Sequence, residues 1–380
     1  MNILLFGGGL QILSTARSLK EKGYTVYVAG EHNEVSRKCN FVRQCIDITL
    51  DKSFTSKELL NITKEKECSV VIPMEDEYAT WLSLNKEAIE AHSNIKCAIM
   101  DYATFSIASD KSKLMEFCQE HNIPHPRTMP IKDNYNELST RIGFPSLVKP
   151  GISAGSRGIK LVHNIEELRE ATRETIAQYG DCSLQEFIPS NHYYNAMLYR
   201  TADGTYSNHT ITKITRYYPI KGGSSSFCTS IENEAILEIC KKTLDKLGWI
   251  GFADFDILEK GYGDYRIIEI NPRIPASVHA AYISGVHFGE IIVKDLTEGR
   301  LPQYTYTPGK NLRCLGIDIA WFFSSPRRFN ATPSWFRFFD KNTHYQEGGR
   351  HDFLAMCTSI WSGIKKQVNP EFRKQKQGMN

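Results

Sequence analysis

Apolar residues in the first third of the chain alternate between short continuous runs and helical spacing. Asn2 to Phe6 is an apolar run that ends at a glycine triplet, and apolar positions then recur three and four residues apart. Further apolar runs follow at Thr25 to Ala29, Ser69 to Pro73 and Ile95 to Met100. Strands that alternate with helices in this way predict a parallel sheet with helices on its faces.

The pattern changes near residue 106. A predicted helix over Lys111 to His121 leads to a strand at Ser146 to Lys149, and a connector at Leu301 to Thr307 leads to a smaller C-terminal part. The polar residues that suit phosphate chemistry lie between Lys149 and Arg273. We therefore predict four regions, at residues 1–105, 106–188, 189–300 and 301–380.

The composition is that of an ordinary globular protein. The chain has 380 residues, 41% hydrophobic and 23% charged, and it exceeds the roughly 250–300 residues that one hydrophobic core supports. The net charge is +3, and the basic residues are dispersed except in the tail from Lys365 to Lys376. This dispersion argues against a nucleic-acid partner, because such proteins concentrate basic residues on one face.

We predict a cytoplasmic protein that does not span a membrane. Its ten cysteines are scattered without close pairs, which is typical of reduced cytoplasmic thiols. Met1 to Phe6 enters a strand directly, without a basic leader or an apolar signal core. No segment reaches the ~18–20 uncharged apolar residues that a span requires.

The glycine triplet admits two interpretations. Gly7, Gly8 and Gly9 follow a strand, as glycines do where a dinucleotide phosphate approaches the backbone. The third position of that fingerprint is Ile12 here, and its bulk obstructs close packing of helix and strand. We favour a tight turn over an NAD site and keep a dehydrogenase as the alternative.

A lysine at the end of a strand precedes a loop of small residues. Lys149 is followed by the glycine- and serine-rich stretch from Gly151 to Ile159. A fixed cation beside free backbone N–H groups predicts a phosphate cradle. The residue order differs from the P-loop pattern. The alternative is a surface hairpin with an incidental lysine.

The most informative pattern is a predicted hairpin that carries carboxylates. Glu269, Asn271 and Arg273 occupy alternate positions of its second strand and share one face, which Asp256 of the first strand can reach. Oxygen ligands without sulfur or imidazole suit Mg²⁺, or Mn²⁺ in its place, shared with substrate phosphates. A solvated face would explain the charges but not the apolar residues that interleave with them.

In this order, the motifs resemble the ATP-grasp superfamily, in particular its carbamoyl-phosphate-synthase-like and D-aspartate-ligase-like members. The resemblance covers residues 1–300, and the stretch from Glu269 to Arg273 is its most specific part. It implies a mixed α/β and α+β chain. The implied regions are a Rossmann-like pre-ATP-grasp domain (1–105), a small lobe with a glycine-rich flap (106–188), a large lobe with the metal site (189–300) and a C-terminal extension (301–380).

The resemblance also implies roles for individual residues. Asp256, Glu269 and Asn271 resemble the metal ligands, and Arg273 would stabilise the transferred phosphoryl group. In this family the strand that holds the adenine is called the hinge strand, and a glutamate that binds the ribose commonly follows it. This chain has His192 and Tyr193 at that place instead. The remaining implied contacts are Lys111 and Lys149 for the ATP phosphates; Ser153, Ala154, Gly155, Ser156 and Gly158 for the flap; Glu186, Phe187 and Ile188 for the adenine; and Lys213 and Arg216 for a catalytic lid.

The implied activity is ATP-dependent formation of a C–N bond. A carboxylate would become an acyl phosphate, and a small-molecule amine would then attack it, with release of ADP and phosphate. Two alternatives stay open: a carbamoyl-phosphate-synthase-like phosphorylation and a non-catalytic sensor of ATP. A homodimer is an assembly that this prediction allows.

Overall fold

The computed structural model describes residues 1–31, 34–132, 134–152, 157–190, 192–220, 223–348 and 352–368. Within this part of the chain, no helix combines the length and apolar character needed to cross a membrane.

The first part of the chain forms a parallel sheet with helices around it. Its strands are β1 (Asn2–Phe6), β2 (Thr25–Gly30), β3 (Gln44–Asp47), β4 (Cys68–Pro73) and β5 (Lys96–Cys97), and its helices are α1 (Gln11–Glu21), α2 (Ser56–Glu65), α3 (Asp76–Ala91) and α4 (Tyr102–Ser109), with a 3₁₀ turn at Ser36–Lys38. The strand order is β3-β2-β1-β4-β5, and every pairing is parallel. The last strand, β5, has only the residues Lys96 and Cys97, whereas the apolar run predicted a strand over Ile95 to Met100.

A small antiparallel lobe follows. It contains α5 (Lys111–Glu120), β6 (Thr128–Pro130), α6 (Tyr135–Arg141), β7 (Ser146–Pro150), β8 (Lys160–Val162), α7 (Ile165–Tyr179) and β9 (Cys182–Glu186). Its sheet has the order β6-β9-β7-β8. Asp110 caps α5, because its carboxylate accepts hydrogen bonds from the backbone N–H groups of Ser112 and Lys113.

The third sheet has seven strands and includes the C-terminal part of the chain. The elements are β10 (Tyr193–Arg200), β11 (Thr210–Tyr218), β12 (Ser224–Ile231), α8 (Glu234–Leu247), β13 (Gly251–Gly261), β14 (Asp264–Asn271), α9 (Val278–Ile283), α10 (Phe288–Glu298), β15 (Asn311–Arg313), α11 (Leu315–Ser324), β16 (Thr343–Tyr345) and α12 (Phe353–Val368). The order is β14-β13-β10-β11-β12-β15-β16. The predicted C-terminal extension therefore supplies two strands to the sheet that carries the predicted metal site.

The hydrophobic cores show how the sheets are joined. One core combines apolar residues from the first sheet, such as Phe6, with residues from one face of the third sheet, such as Phe255. A second core joins the other face of the first sheet to Phe288 and its neighbours. The small lobe has a core of its own around Val148 and Leu184. Helix α5 of this lobe packs in the first core instead, through Leu114, Met115 and Cys118.

Candidate active site

The β13–β14 hairpin brings the predicted carboxylates together. Asp256 lies directly opposite Glu269, and Asp254 lies opposite Asn271, so all four share one face of the sheet. The intervening Phe255 is fully buried in the core on the other face. Alternation along the two strands therefore places the polar side chains on the face that the small lobe approaches.

Two residues of this cluster were missed by the sequence analysis. Asp254 is 1% exposed, and it accepts hydrogen bonds from Asn195 (2.5 Å) and Asn271 (3.1 Å). The Asn195 amide also lies 3.3 Å from Asp256, so it bridges the two aspartates. The alternation that led to Asp256 also applies to Asp254, two residues earlier. Asn195 belongs to β10, and no local pattern in the sequence links it to the hairpin.

Burial makes the two aspartates of this cluster hard to ionise. Burial, followed by the nearby Glu269, raises the pKa of Asp256 to about 6. Burial and the charge of Asp256 raise the pKa of Asp254 well above its usual value. Two carboxylates held this close repel each other, and a cation between them would relieve the repulsion. The electrostatics of the cluster therefore favour a bound cation.

Two lysines of the small lobe face the cluster. The Lys111 ammonium lies 3.0 Å from a carboxylate oxygen of Glu269. Lys149 is 9% exposed at the end of β7, and burial, followed by repulsion from Lys111, lowers its pKa to about 8. Its ammonium makes no hydrogen bond or ion pair within the described residues. A buried, destabilised cation of this kind suits an anionic ligand.

Arg273 connects the cluster to the first sheet. Its guanidinium donates to both carboxylate oxygens of Asp76, at 2.8 Å and 3.4 Å, and lies 3.5 Å from the Asn271 side-chain oxygen. Asp76 is the first residue of α3 and follows the C-terminal end of β4. No local pattern in the sequence indicates this ion pair, because its partners are 197 positions apart.

The oxygen ligands of the cluster fit an Mg²⁺ ion that is also bound by substrate phosphates. Among the described residues, no group of three or more His, Cys, Asp or Glu side chains is arranged to hold a metal ion. Asp256 and Glu269 with the Asn271 amide supply two carboxylates and one neutral oxygen. Mg²⁺ at phosphoryl-transfer sites is commonly held by one or two carboxylates together with substrate phosphates. The cluster therefore fits an ion that binds together with the phosphates.

The hinge strand is tied down by a charged side chain. Glu186, at the end of β9, accepts 3.0 Å hydrogen bonds from the backbone N–H and from the side chain of Arg127, and Lys260 of β13 lies 3.2 Å away. Burial alone would raise the pKa of the Glu186 carboxyl, but the bonds from Arg127 and Lys260 lower it. The carboxylate thus links the small lobe to the hairpin, while the following Ile188 is buried.

The residues expected near the ribose stand where β10 begins. His192 is exposed, and its Nδ1 lies 3.4 Å from Glu259. Tyr193 pairs with Leu258 of β13 and packs edge-on against Tyr217, with ring centroids 5.3 Å apart. Burial, followed by Tyr217, raises the pKa of Tyr193 to about 12, so its hydroxyl is a neutral donor at physiological pH.

The predicted lid cations do not join the cluster. Lys213 pairs with Tyr194 across the sheet, and Asn195, one residue further, pairs with Asp256; Lys213 therefore lies on the opposite face from the carboxylates. Arg216 is 1% exposed and pairs with Asp318 at 2.8 Å. The structure therefore brings neither residue to the carboxylates, and the predicted lid role of both stays a prediction. Loop composition does not reveal which face a strand residue occupies.

The predicted flap lies largely outside the described residues. Ser153, Ala154, Gly155 and Ser156 lie outside the described residues. Gly158 is described and has a φ of +74°, and a Cβ atom there would lie 2.5 Å from the Tyr179 ring. Only glycine suits this position, because both the conformation and the space exclude a side chain.

The glycine triplet of the first sheet is occupied by the protein itself. The backbone N–H of Gly8 donates to a carboxylate oxygen of Glu75 at 2.8 Å. A carboxylate, which repels phosphate, thus lies where a dinucleotide phosphate would have to bind. The observed geometry favours the tight-turn interpretation over the NAD alternative.

Comparisons with known proteins agree with this geometry. Residues 108–277 match the model of the ATP-grasp domain. Residues 108–277 are therefore an ATP-grasp domain. This range contains the two lysines, the hinge strand and the whole carboxylate cluster. The predicted resemblance to the ATP-grasp superfamily is confirmed, whereas the roles of the individual residues stay predictions.

Relatives found by sequence are ligases, and a carboxylase of known structure has a similar fold. It is 22% identical over 323 residues to the D-aspartate ligase of Enterococcus faecium, covering 77% of this chain and 76% of the relative. It is 26% identical over 223 residues to a D-alanine–D-alanine ligase of Francisella tularensis, covering 56% and 72%. Its fold is similar to that of the biotin carboxylase of Campylobacter jejuni, with a TM-score of 0.68, 19% identity and coverage of 80% and 73%. The predicted fold class is confirmed, and the chain is related to ATP-grasp ligases.

Proposed function

We propose that this ATP-grasp chain is an ATP-dependent carboxylate–amine ligase that acts through an acyl phosphate on an amino acid or another small carboxylate. The observation that carries the proposal is the approach of two small-lobe lysines to the carboxylates of the hairpin. The site thereby combines cations that can bind phosphate oxygens with carboxylates that can bind a divalent ion. The relatives, named as ligases of D-aspartate and D-alanine, support an amino-acid substrate.

Each residue has a proposed task. Asp256, Glu269 and Asn271 would hold Mg²⁺, or Mn²⁺ in its place, and the ion would neutralise charge on the phosphates. Lys111 and Lys149 would bind phosphate oxygens. The contact of Lys111 with Glu269 keeps its ammonium close to the metal ligands. Positioning and charge neutralisation then supply most of the catalysis, since phosphoryl transfer needs little covalent chemistry from a protein.

The reaction would proceed in two balanced steps. A carboxylate oxygen attacks the γ-phosphorus of ATP, the bond to the β,γ-bridging oxygen breaks, and ADP leaves. The amine nitrogen then attacks the acyl carbon, phosphate leaves, and the amide nitrogen loses its proton to a base or to solvent. Arg273 would stabilise negative charge on the transferred group, and Asp76 would hold its guanidinium in place.

The nucleotide contacts remain as the sequence predicted them. We propose that the strand end at Glu186, Phe187 and Ile188 lines the adenine through backbone groups and apolar side chains, because the Glu186 carboxylate is bound to Arg127. His192 and Tyr193 are the proposed ribose contacts. Their support is their position beside Leu258, two residues after the metal ligand Asp256 on the same strand.

The substrates are proposed to bind at the end of β4. Glu75, Asp76 and Glu77 follow that strand, at the edge where open α/β sheets bind their ligands. The ion pair of Asp76 with Arg273 supports this position, because it joins that edge directly to the carboxylate cluster. An acidic edge suits the ammonium group of an amino acid.

The decisive experiment is ADP release with ATP and Mg²⁺ against a panel of carboxylic acids and amino acids, alone and paired with amines. Turnover should require one acid and one amine. Glu269→Gln should abolish it, whereas Asp264→Asn, a change at the turn of the same hairpin, should leave it intact. ATP binding without turnover across the panel would refute the ligase and favour the sensor, and a Glu269→Gln protein with full turnover would refute the metal assignment.

The cytoplasmic location, the homodimer and the domain boundaries after residues 105, 188 and 300 stay predictions. The structure adds one relevant fact about the last boundary: β15 and β16 lie beyond it and complete the third sheet. We therefore propose that the extension folds with the large lobe.

A further inference from the structure

The C-terminal part of the chain differs in charge from the rest. Its last sixty residues contain ten Lys and Arg but only four Asp and Glu, whereas the whole chain has a net charge of +3. The preceding 320 residues are therefore slightly acidic. A local excess of positive charge of this size in the sequence favours an anionic partner.

The same part exposes a cluster of phenylalanines. The rings of Phe323, Phe329 and Phe336 surround that of Phe322 at centroid distances of 5.7–5.8 Å. These three residues are 76%, 66% and 55% exposed, and Phe339, three positions after Phe336, is fully exposed. We call Phe323, Phe329, Phe336 and Phe339 the aromatic surface. Exposed aromatic groups of this extent mark interaction sites.

The aromatic surface rests on a fixed base. Trp335 donates to the backbone oxygen of Asp318 at 3.2 Å, and the Arg313 guanidinium lies 4.8 Å from the Trp335 ring and 4.1 Å from that of Phe338. Asp318 in turn pairs with the buried Arg313 and Arg216. The inner aromatic residues are thus explained by packing, whereas the exposed ones have no such explanation.

Cations interleave with the exposed rings. Arg327, Arg337 and Lys341 are exposed, and the Arg328 guanidinium lies 5.3 Å from the Phe329 ring. Asp340 lies 3.9 Å from Arg337. The surface therefore combines apolar side chains with positive charge.

We propose that the aromatic surface binds peripherally to a bilayer that contains anionic lipids. This goes beyond the proposed ligase activity and does not depend on it. Phenylalanines would enter the boundary between headgroups and acyl chains while arginines contact lipid phosphates. A bilayer suits the surface better than a folded partner, because the side chains project singly, up to full exposure, and do not line a groove.

Helix α12 supports the same partner. Its solvent-facing side carries Leu354 and Trp361, 65% and 69% exposed, and Lys365 follows one turn later. Its opposite side is packed: Ala355 is fully buried. A helix with an apolar exposed stripe and flanking lysines is typical of segments that lie on membrane surfaces.

The test is sedimentation of the full chain with vesicles of phosphatidylcholine alone or with added phosphatidylglycerol. Binding should require the anionic lipid and should fall as salt rises from about 0.1 M to about 1 M, where the Debye length drops from ~10 Å to ~3 Å. Phe329→Ser with Phe336→Ser should weaken binding at least tenfold. Arg327→Glu with Arg337→Glu should weaken it by at least roughly twentyfold, since each lipid-facing cation contributes roughly fivefold.

Matched controls separate the surface from general effects. Tyr262→Ser removes a fully exposed aromatic residue at the β13–β14 turn, and Lys52→Glu with Lys57→Glu changes the net charge equally on the first domain. Both should bind like the wild type, and thermal melting should show all variants folded. No binding to anionic vesicles, or equal losses in the controls, would overturn the proposal. Sedimentation velocity supplies a further test. If the wild type is a dimer and the phenylalanine variant is a monomer, the proposal is also overturned, because the aromatic surface would then be the contact with a second copy of the chain.

Discussion

Replacement of Lys149 by methionine should stabilise the nucleotide-free protein and weaken its binding of ATP. Burial and the neighbouring Lys111 lower the pKa of Lys149 from 10.5 to about 8. At pH 7 the folded protein therefore holds a charged group at a cost of about 3 kcal/mol, because each pKa unit corresponds to about 1.4 kcal/mol. Methionine has a similar length and no charge, so urea denaturation at pH 7 should show a gain of up to about 3 kcal/mol.

The sign of the pH dependence follows from the same shift. Between pH 8 and pH 10.5 the unfolded chain keeps the Lys149 proton and the folded chain has lost it, so this group makes stability rise with pH across that window. Bound phosphate would restore the proton. ATP affinity of the wild type should therefore fall roughly tenfold from pH 7 to pH 9, with proton uptake on binding visible by calorimetry in buffers of different ionisation enthalpy.

The variant and a matched control make the reasoning refutable. Lys149→Met should lose both the pH-dependent stability and most of its ATP affinity, whereas Lys113→Met, on the exposed side of α5, should change neither. A Lys149→Met protein that binds ATP as tightly as the wild type would show that Lys149 does not contact the phosphates. A loss of stability at pH 7 would show that its burial carries no electrostatic cost.

Three further predictions concern the surroundings of the cluster. Burial and Glu269 raise the pKa of Asp256 to about 6, so Mg²⁺-dependent ATP binding should weaken as the pH falls through 6. Titration calorimetry at pH 5 and pH 7.5 measures this, and equal affinities at the two pH values would contradict it. Asp76→Asn should lower turnover roughly ten- to a hundredfold while ATP affinity stays within about twofold, because the change frees Arg273 without altering the phosphate site. Equal losses of turnover in ADP-release assays and of affinity in binding assays would count against the positioning of Arg273 by Asp76. Asp318→Asn should lower the free energy of unfolding by about 3–5 kcal/mol in urea titrations, because Arg216 would remain charged and buried, and a change below about 1 kcal/mol would contradict it.

The ion pair between Asp76 and Arg273 has a consequence for how the parts of the enzyme act together. It joins the edge of the first sheet where we propose that substrates bind to the segment that follows the strand of Glu269. An acid that binds at this edge would compete with Asp76 for the guanidinium. Occupation of the substrate site and the position of Arg273 would then be coupled through a single side chain.

The sequence by itself determined much of the local structure and the core of the site. Alternation of polar and apolar residues is a property of consecutive positions, so it predicts that Asp256, Glu269 and Asn271 share a face. The same holds for the first strand, which the structure has at Asn2–Phe6 as predicted. The order of the motifs along the chain led to the ATP-grasp family without any tertiary information.

The tertiary structure alone decided which side chains meet. Asp76 and Arg273 are 197 positions apart, and Arg127 and Glu186 are 59 apart, so no local pattern links them. Strand pairing put Lys213 on the face away from the carboxylates, and the packing of α11 committed Arg216 to Asp318. The physical reason is that charge and composition state what a residue can bind, whereas sheet register and burial determine which partner lies within reach.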